Sequence, residues 1–385
     1  MNVNRKTLLY GAGAAGLLLY VKECLKVRQV LTKHEKLLAS IDPTEKELKE
    51  LEKHYADESA QVNFKDYQQQ IRLLEENVAK GTVGLQGKDV HKVARESSAF
   101  LLGERAALLQ LAHPYVAAGI AQHSNIKDGV QERFFNTFKH MFALTYGEWD
   151  EAKASSKTVR ALHAKVKGVI DEDVGFFKKD HVYSANHLHA LYWVYATLLE
   201  GVIFSYELFV GDLTEEEKTT YLLESKKLAQ SFGIPEHFIA DDWESFMRSF
   251  GVMLKSDVLT VSENAEQIKV FLIKPPSPKY APLMKSVDWA TSVFIPPKTG
   301  EQFYHRRITR WDRVQWILLN GYVRMIYRLL PTSLRWLTPY LHMTKRRGEV
   351  YTTLQEALMS FSARVANFFL AQLMPPRKSD SFLVA

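Results

Sequence analysis

From Arg95 to Gly168 the chain reads as one helix after another, and no other stretch constrains the fold as tightly. Its first part, RESSAFLLGERAALLQLAHPYVAAGIAQHS, sets Gln110, His113, Gln122 and His123 inside a run of small and aliphatic residues. Such a run buries itself, and each buried polar group left without a partner costs roughly 1–3 kcal/mol. RFFNTFKH and then RALHAKVKG follow, placing Arg, Thr and His on helical faces that are otherwise apolar. The pattern predicts an all-α protein with a polar-lined pocket between helices, the rest of the chain building its walls.

A chain of 385 residues can bury such a core in one large domain or two. Its 21 Phe, 17 Tyr and 7 Trp suit either a Phe-rich helical core or an apolar ligand and a membrane contact. The net charge of +6 is spread along the chain without a Lys/Arg block. That argues against nucleic acid and favours a membrane surface as partner. Cys24 is the only cysteine, so an intrachain disulfide and a cysteine-built metal site are excluded. The sequence has no G-x-S-x-G, H-E-x-x-H, E-x-x-H or G-K-[ST]. Their absence removes the usual hydrolase elbow, zincin and ferritin-like di-iron helices, and the phosphate loop.

Near the N-terminus Gly11, Gly13 and Gly16 spell G-x-G-x-x-G after TLLY. A dinucleotide-binding unit would continue with an amphipathic helix, a second strand and an acidic residue about 20 positions on. Here LLLYV and a long charged helical segment follow instead. Thr7 to Val21 reads better as a single-pass membrane anchor. At 1.5 Å per residue it spans about 23 Å, short of the roughly 30 Å hydrocarbon core, with Arg5, Lys6 and Lys22 able to snorkel. A cleaved signal peptide is the rival, but the apolar run continues past the small-residue AGA. Lys22, Lys26, Arg28, Lys33 and Lys36 lie after the span, which puts the main body in the cytoplasm by the positive-inside rule. The resulting organisation is a tail over 1–6, an anchor over 7–21, a helical spacer or packing layer over 22–89, and a main domain over 90–385.

Further along, Asp42-Pro43-Thr44 opens a capped helix, and FKDYQQQIRLLEENVAK is a second amphipathic one. Tyr183–Phe209 is long and almost wholly apolar, but His187, His189, Glu200 and Glu207 interrupt it. A buried core helix suits it better than a membrane span. Residues 272–300 hold Pro275, Pro276, Pro278, Pro282, Pro296 and Pro297, and predict an extended segment crossing the body. RVQWILLNGYVRMIYRLLPTSLRWLTPYLHMTKRRG mixes Trp, Tyr and Arg at helical spacing, as an interfacial membrane surface does, or as a helix layer packed on the core.

Among single residues, Arg133 and Thr137 are four apart on one helical face, with Asn136 beside them, and can aim a guanidinium, a hydroxyl and an amide into one cavity. His163 sits at the edge of an apolar face, flanked by Arg160 and Lys167, which can pair with carboxylates of a ligand. His113 and His123 either line the pocket or donate to backbone carbonyls as structural residues; being ten apart, they do not share a face. His181, His187 and His189 crowd together in sequence, but 187 and 189 point to different sides of a helix.

GERAALLQLAHPYVAAGIAQHS, then R-x-x-x-T at 133–137, then H-x-x-V-x-G at 163–168, resemble in order and spacing the MpaB-type ER-bound oxygenase and rubber oxygenase (latex-clearing protein) catalytic-domain family. YSAN, WVYATLL and SFGIP continue the resemblance, which covers roughly residues 90 to 250 of an oxygenase-like domain. It implies an all-α fold holding haem b, with dioxygen as co-substrate. Rubber-cleaving members cut C=C bonds of polyisoprene, and fungal members cut a prenyl side chain of a membrane-associated metabolite. His163 matches the proximal iron ligand, and Arg133 and Thr137 match residues beside the haem. Asn136 stands where the rubber-cleaving branch can carry a lysine as distal ligand, and His187 replaces an acidic residue. The expectation is therefore a haem-dependent oxygenase, anchored in the endoplasmic reticulum membrane and acting on an isoprenoid or other lipophilic substrate. Its rival is a membrane-tethered helical protein that binds haem or lipid without turnover.

Overall fold

Leu188–Phe209 runs through the centre of the molecule, as a segment apolar on every side must. The structure, a computed structural model, describes residues 5–57, 62, 64–79, 92–123, 126–275 and 277–373, apart from the side chains of 5–14, 64, 66, 77–79, 126–135 and 365–373. In chain order the helices up to the centre are α1 (Arg5–Ser40), α2 (Glu45–Ala56), α3 (Phe64–Ala79), α4 (Gly103–Leu111), α5 (Pro114–His123), α6 (Ile126–Tyr146), α7 (Trp149–His163) and the central α8 (Leu188–Phe209). They are followed by α9 (Glu215–Ser231), α10 (Trp243–Lys255), α11 (Glu263–Leu272), α12 (Ala281–Phe294), α13 (Pro297–Tyr304), α14 (Arg310–Leu329), α15 (Thr332–Arg335), α16 (Thr338–Arg346) and α17 (Thr353–Leu373). The fold class is all-α, with one two-stranded ribbon of β1 (Lys167–Val169) and β2 (Val182–Ser184).

α8 is long and apolar enough to cross a membrane, yet 67% of its most apolar window is buried inside the protein. Most of its polar groups are answered, the buried Ser205 hydroxyl being without a partner among the described residues. Trp193 donates to the Leu109 carbonyl at 2.8 Å, and Thr197 accepts from Gln110 at 3.0 Å. Arg105 grips Glu200 with two nitrogens at 2.5 and 3.0 Å, and His34 stands 3.0 Å from the same carboxylate. Burial alone would raise the Glu200 carboxyl; the guanidinium and His34 outweigh it and hold the pKa at about 2.

The helix does not begin at Tyr183 as the apolar run suggests. Gly168 pairs with Tyr183 and Val169 with Val182, so 182–184 is a strand. Val182 is exposed and Tyr183 buried, the alternation of a pleated ribbon, and His187 is still extended before the helix starts.

α1 is one unbroken helix, with Gly11, Gly13 and Gly16 inside it, so no strand-turn-helix exists for a pyrophosphate. It also runs straight across the expected boundary at 21/22. Val27, Val30 and Leu31 anchor it in the core, and α14 lies antiparallel beside it. Arg324 meets Glu23 at 2.6 Å and Arg313 meets Glu35 at 2.6 Å. The two helices approach so closely at Gly321 that any Cβ there would collide with Cys24.

The proline-rich segment 272–300 is helical, which corrects the extended expectation. Pro282 stands in the first turn of α12 and Pro297 in the first turn of α13. A proline there loses no hydrogen bond, because the first N–H groups of a helix have no partner within it.

Candidate functional site

Helices α4 and α5 meet at a proline, and His113 closes the junction. Its Nδ1 accepts the Tyr115 N–H at 3.1 Å, capping α5, so the ring proton sits on Nε2, which donates to the Tyr55 hydroxyl at 2.9 Å. Tyr55 comes from α2 and is itself buried between rings: His187 stacks on it at 4.8 Å, with Tyr115 and Phe177 edge-on. His187 Nε2 donates to the His54 carbonyl at 3.2 Å, and His189 stacks on His54 at 4.2 Å. Burial, reinforced by the neighbouring histidines, lowers His113 and His189 to about 3, and burial lowers His187 to about 4. This is a box of neutral imidazoles. Among the described residues no three His, Cys, Asp or Glu side chains converge on a metal.

At the far end of α5, His123 Nε2 donates to the Lys167 carbonyl at 3.0 Å and Gln122 donates to the Val169 carbonyl at 2.8 Å. Gln122 also accepts from Tyr183 at 2.9 Å. Of the four polar residues of the opening stretch, His113, Gln122 and His123 therefore fix the two ends of α5, and Gln110 ties α4 to α8. Both nitrogens of His113 are engaged, and neither histidine is presented to a cavity by these contacts.

α6 and α7 form an antiparallel hairpin through Gly147, and the Glu148–Glu151 capping box starts the second helix. His163 is the last residue of α7 and is half-buried. Just after it, Val166 packs at 3.2 Å from where a Cβ on Gly119 would lie. Gly168 sits so close beneath Gln122 and Tyr183 that a side chain would collide with them. The V-x-G of H-x-x-V-x-G is thus a packing device that fixes how the chain leaves His163. Counting equal rises of 1.5 Å back from the turn brings His163 roughly level with Arg133 on α6; the Arg133 side chain lies outside the described residues. Asn136 and Thr137 are exposed on α6.

Arg160 is committed elsewhere. Its terminal nitrogens donate to Asn186 at 2.6 Å and to the Val62 carbonyl at 2.7 Å, and it lies over the Tyr67 ring. It straps the α7 end to the N-terminal layer, while Lys167 opens β1 with its side chain exposed. The motif reading passed over His140, one turn beyond Asn136 on α6. Its Nδ1 is buried without a hydrogen-bond partner among the described residues, and burial and Lys139 lower its pKa. The only signal was its place in RFFNTFKH.

A second titratable cluster left no sequence signal. Glu104 at the start of α4 lies beside Asp288 of α12; burial first and then that carboxylate push it up to about 8. The Tyr304 hydroxyl donates to Asp288 at 2.9 Å, and the Lys269 ammonium lies 3.3 Å from the centre of the Tyr304 ring.

The chain belongs to the family described as ER-bound oxygenase mpaB/B'/rubber oxygenase, catalytic domain, whose model matches residues 90–328. The match extends well past residue 250, taking in α10 to α13 and nearly all of α14. Comparison with curated proteins and with solved structures gives no match.

Proposed function

We propose that this oxygenase is haem-dependent and membrane-bound, and that it cleaves a C=C bond of an isoprenoid or otherwise prenylated lipophilic substrate with dioxygen. The observation that carries the reading is the family match over residues 90–328, within which His163 ends α7 and Val166 and Gly168 pack the chain just beyond it. A single imidazole suits a porphyrin iron, which needs one protein ligand, better than a bare metal ion, which needs three or four. Haem b, when bound, supplies the dioxygen chemistry. The chain's own residues hold and shape. His163 would hold the iron through its imidazole, and Arg133, Asn136, Thr137 and His140 belong to the neighbouring helix α6. Lys167 is placed to meet a carboxylate of the cofactor, a role Arg160 gives up to Asn186 and Val62. Asn136 carries an amide where an amine would ligate, so it hydrogen-bonds instead.

The apolar start of α1 supports attachment to a membrane, of the endoplasmic reticulum by the family's description, with the body on the cytoplasmic side. The purified protein should show a Soret band that His163→Ala abolishes. Iron-free protein from haem-replete cells overturns the reading. Haem binding without oxygen uptake on prenylated compounds favours the binding-protein alternative, which the amide at Asn136 keeps in play.

A further inference from the structure

On α14, Trp311, Val314, Leu318, Tyr322, Ile326 and Leu329 recur at steps of three and four and are all exposed. The stripe runs the whole length of the helix, about 27 Å at 1.5 Å per residue. The opposite face is core, with Trp316, Asn320, Gly321, Arg324 and Tyr327 buried. Across the antiparallel contact with α1, Leu18 and Leu25 are also exposed, at 72% and 59%. With Cys24 and Gly321 marking the contact line and the core on one side of both helices, helical phase puts these leucines on the same outer surface as the stripe. Water does not tolerate such a patch without cause.

The charges on the two helices that border it are mostly positive. Of the described side chains in 15–40 and 310–329, none that is exposed is acidic, whereas Lys22, Arg28, Lys33, Lys36, Arg310 and Arg328 are exposed. Glu23 is buried against Arg324, Glu35 pairs with Arg313, and Asp312 pairs with Arg306. At Leu25 the patch borders a groove of about 440 Å³, lined by Lys22, Lys26, Arg324 and Arg328 against Glu23 and Asp212. Lys26 pairs with Asp212 and Lys33 with Glu215, and the remaining exposed charges of the two helices are cationic, so the apolar strip has a net positive border, which fits an anionic lipid surface. It does not fit a second copy of the chain, which would press cation against cation.

We infer that α1 and α14 lie side by side in the plane of an anionic bilayer, with the stripe in the acyl boundary and a lipid phosphate in the Lys22–Arg328 groove. This sharpens the membrane part of the proposed function and is independent of its haem part. It replaces a helix crossing the bilayer with one lying in its interface. In an upright arrangement α14, alongside α1, would leave most of its stripe in water.

The test uses the full chain with Cys24→Ser and one new cysteine at a time: Trp311→Cys, Leu318→Cys or Leu329→Cys, each carrying a fluorophore. Vesicles of phosphatidylcholine with phosphatidylserine carry a quencher on the acyl chains. Similar quenching is expected at all three positions, and much less with phosphatidylcholine alone. Leu318→Glu with Tyr322→Glu, both on the exposed face, should weaken vesicle partition at least about tenfold. The inference is overturned by quenching confined to Leu329, by none at any position, by unchanged partition of the double variant, or by self-association that hides the stripe without lipid. Vesicle binding by protein lacking a Soret band would sink the haem reading and leave this one standing.

Discussion

Around Tyr55, His113, His187 and His189 are packed ring on ring, and burial depresses their proton affinity far below the ordinary histidine range. At the end of α7, His163 stands half-buried at the exit of a helix, with the packing of Val166 and Gly168 fixing the chain beyond it. The box holds more histidine, yet its geometry is that of a core: His113 Nδ1 caps α5, the Nε2 of His113 and of His187 donate to a hydroxyl and a carbonyl, and the faces stack, while His187 Nδ1 is buried without a partner among the described residues. The comparison teaches that histidine density is a poor guide to a metal centre. Burial favours the neutral ring, and the cap on α5 uses the His113 lone pair. The single histidine of H-x-x-V-x-G is a candidate by its place in the motif instead.

The sharpest way to break this contrast is Tyr55→Ala, which removes the ring that three imidazoles lean on and the acceptor for His113. A loss of about 3–5 kcal/mol in unfolding free energy is expected by denaturant titration. A loss under about 1 kcal/mol would mean the box is not a core element.

Acid provides the next test. His113 and His189 at about 3 and His187 at about 4 lie below the unfolded value of about 6.5. The unfolded chain therefore binds more protons as pH falls, and stability present above about pH 6.5 drains away between there and about pH 3. Each histidine contributes a slope of up to about 1.4 kcal/mol per pH unit. Urea midpoints measured from pH 7 to 4.5 should fall steeply; a flat profile would place charged imidazoles in the box.

His123→Ala removes one exposed clip to the Lys167 carbonyl and should cost no more than about 1 kcal/mol. Thermal unfolding with and without the substitution reads it, and a cost above about 2 kcal/mol would mark His123 as more than a clip. Last is His163→Ala, which should cost no more than about 1 kcal/mol in the cofactor-free protein, while haem binding is lost. If that substitution unfolds the chain, or leaves the Soret band intact, the contrast between the two neighbourhoods fails.

Much of this could be read along the chain. Periodicity marked the helices, the mixed polarity of Leu188–Phe209 marked a core helix, and Thr44 with Glu47 marked the start of α2. The ordered motifs from Gln110 to Gly168 marked the family. Two readings failed for local reasons: prolines of 272–300 begin helices rather than prevent them, and Val182–Ser184 pairs with a strand too short to announce itself. Glu104 with Asp288, and Tyr55 with His113, come together across more than fifty residues of chain, so no local pattern carries them.

What the sequence determined by itself is what depends on neighbours along the chain: the helical class, the caps, and the motif that places a histidine at an element's end. The tertiary structure decided which polar groups are spent. Arg160, a promising carboxylate partner in sequence, is used up by Asn186 and Val62, and His113 by Tyr55 and its own helix. A hydrogen-bonding group is available to a ligand only if no partner distant in sequence has been folded against it, and packing alone settles that.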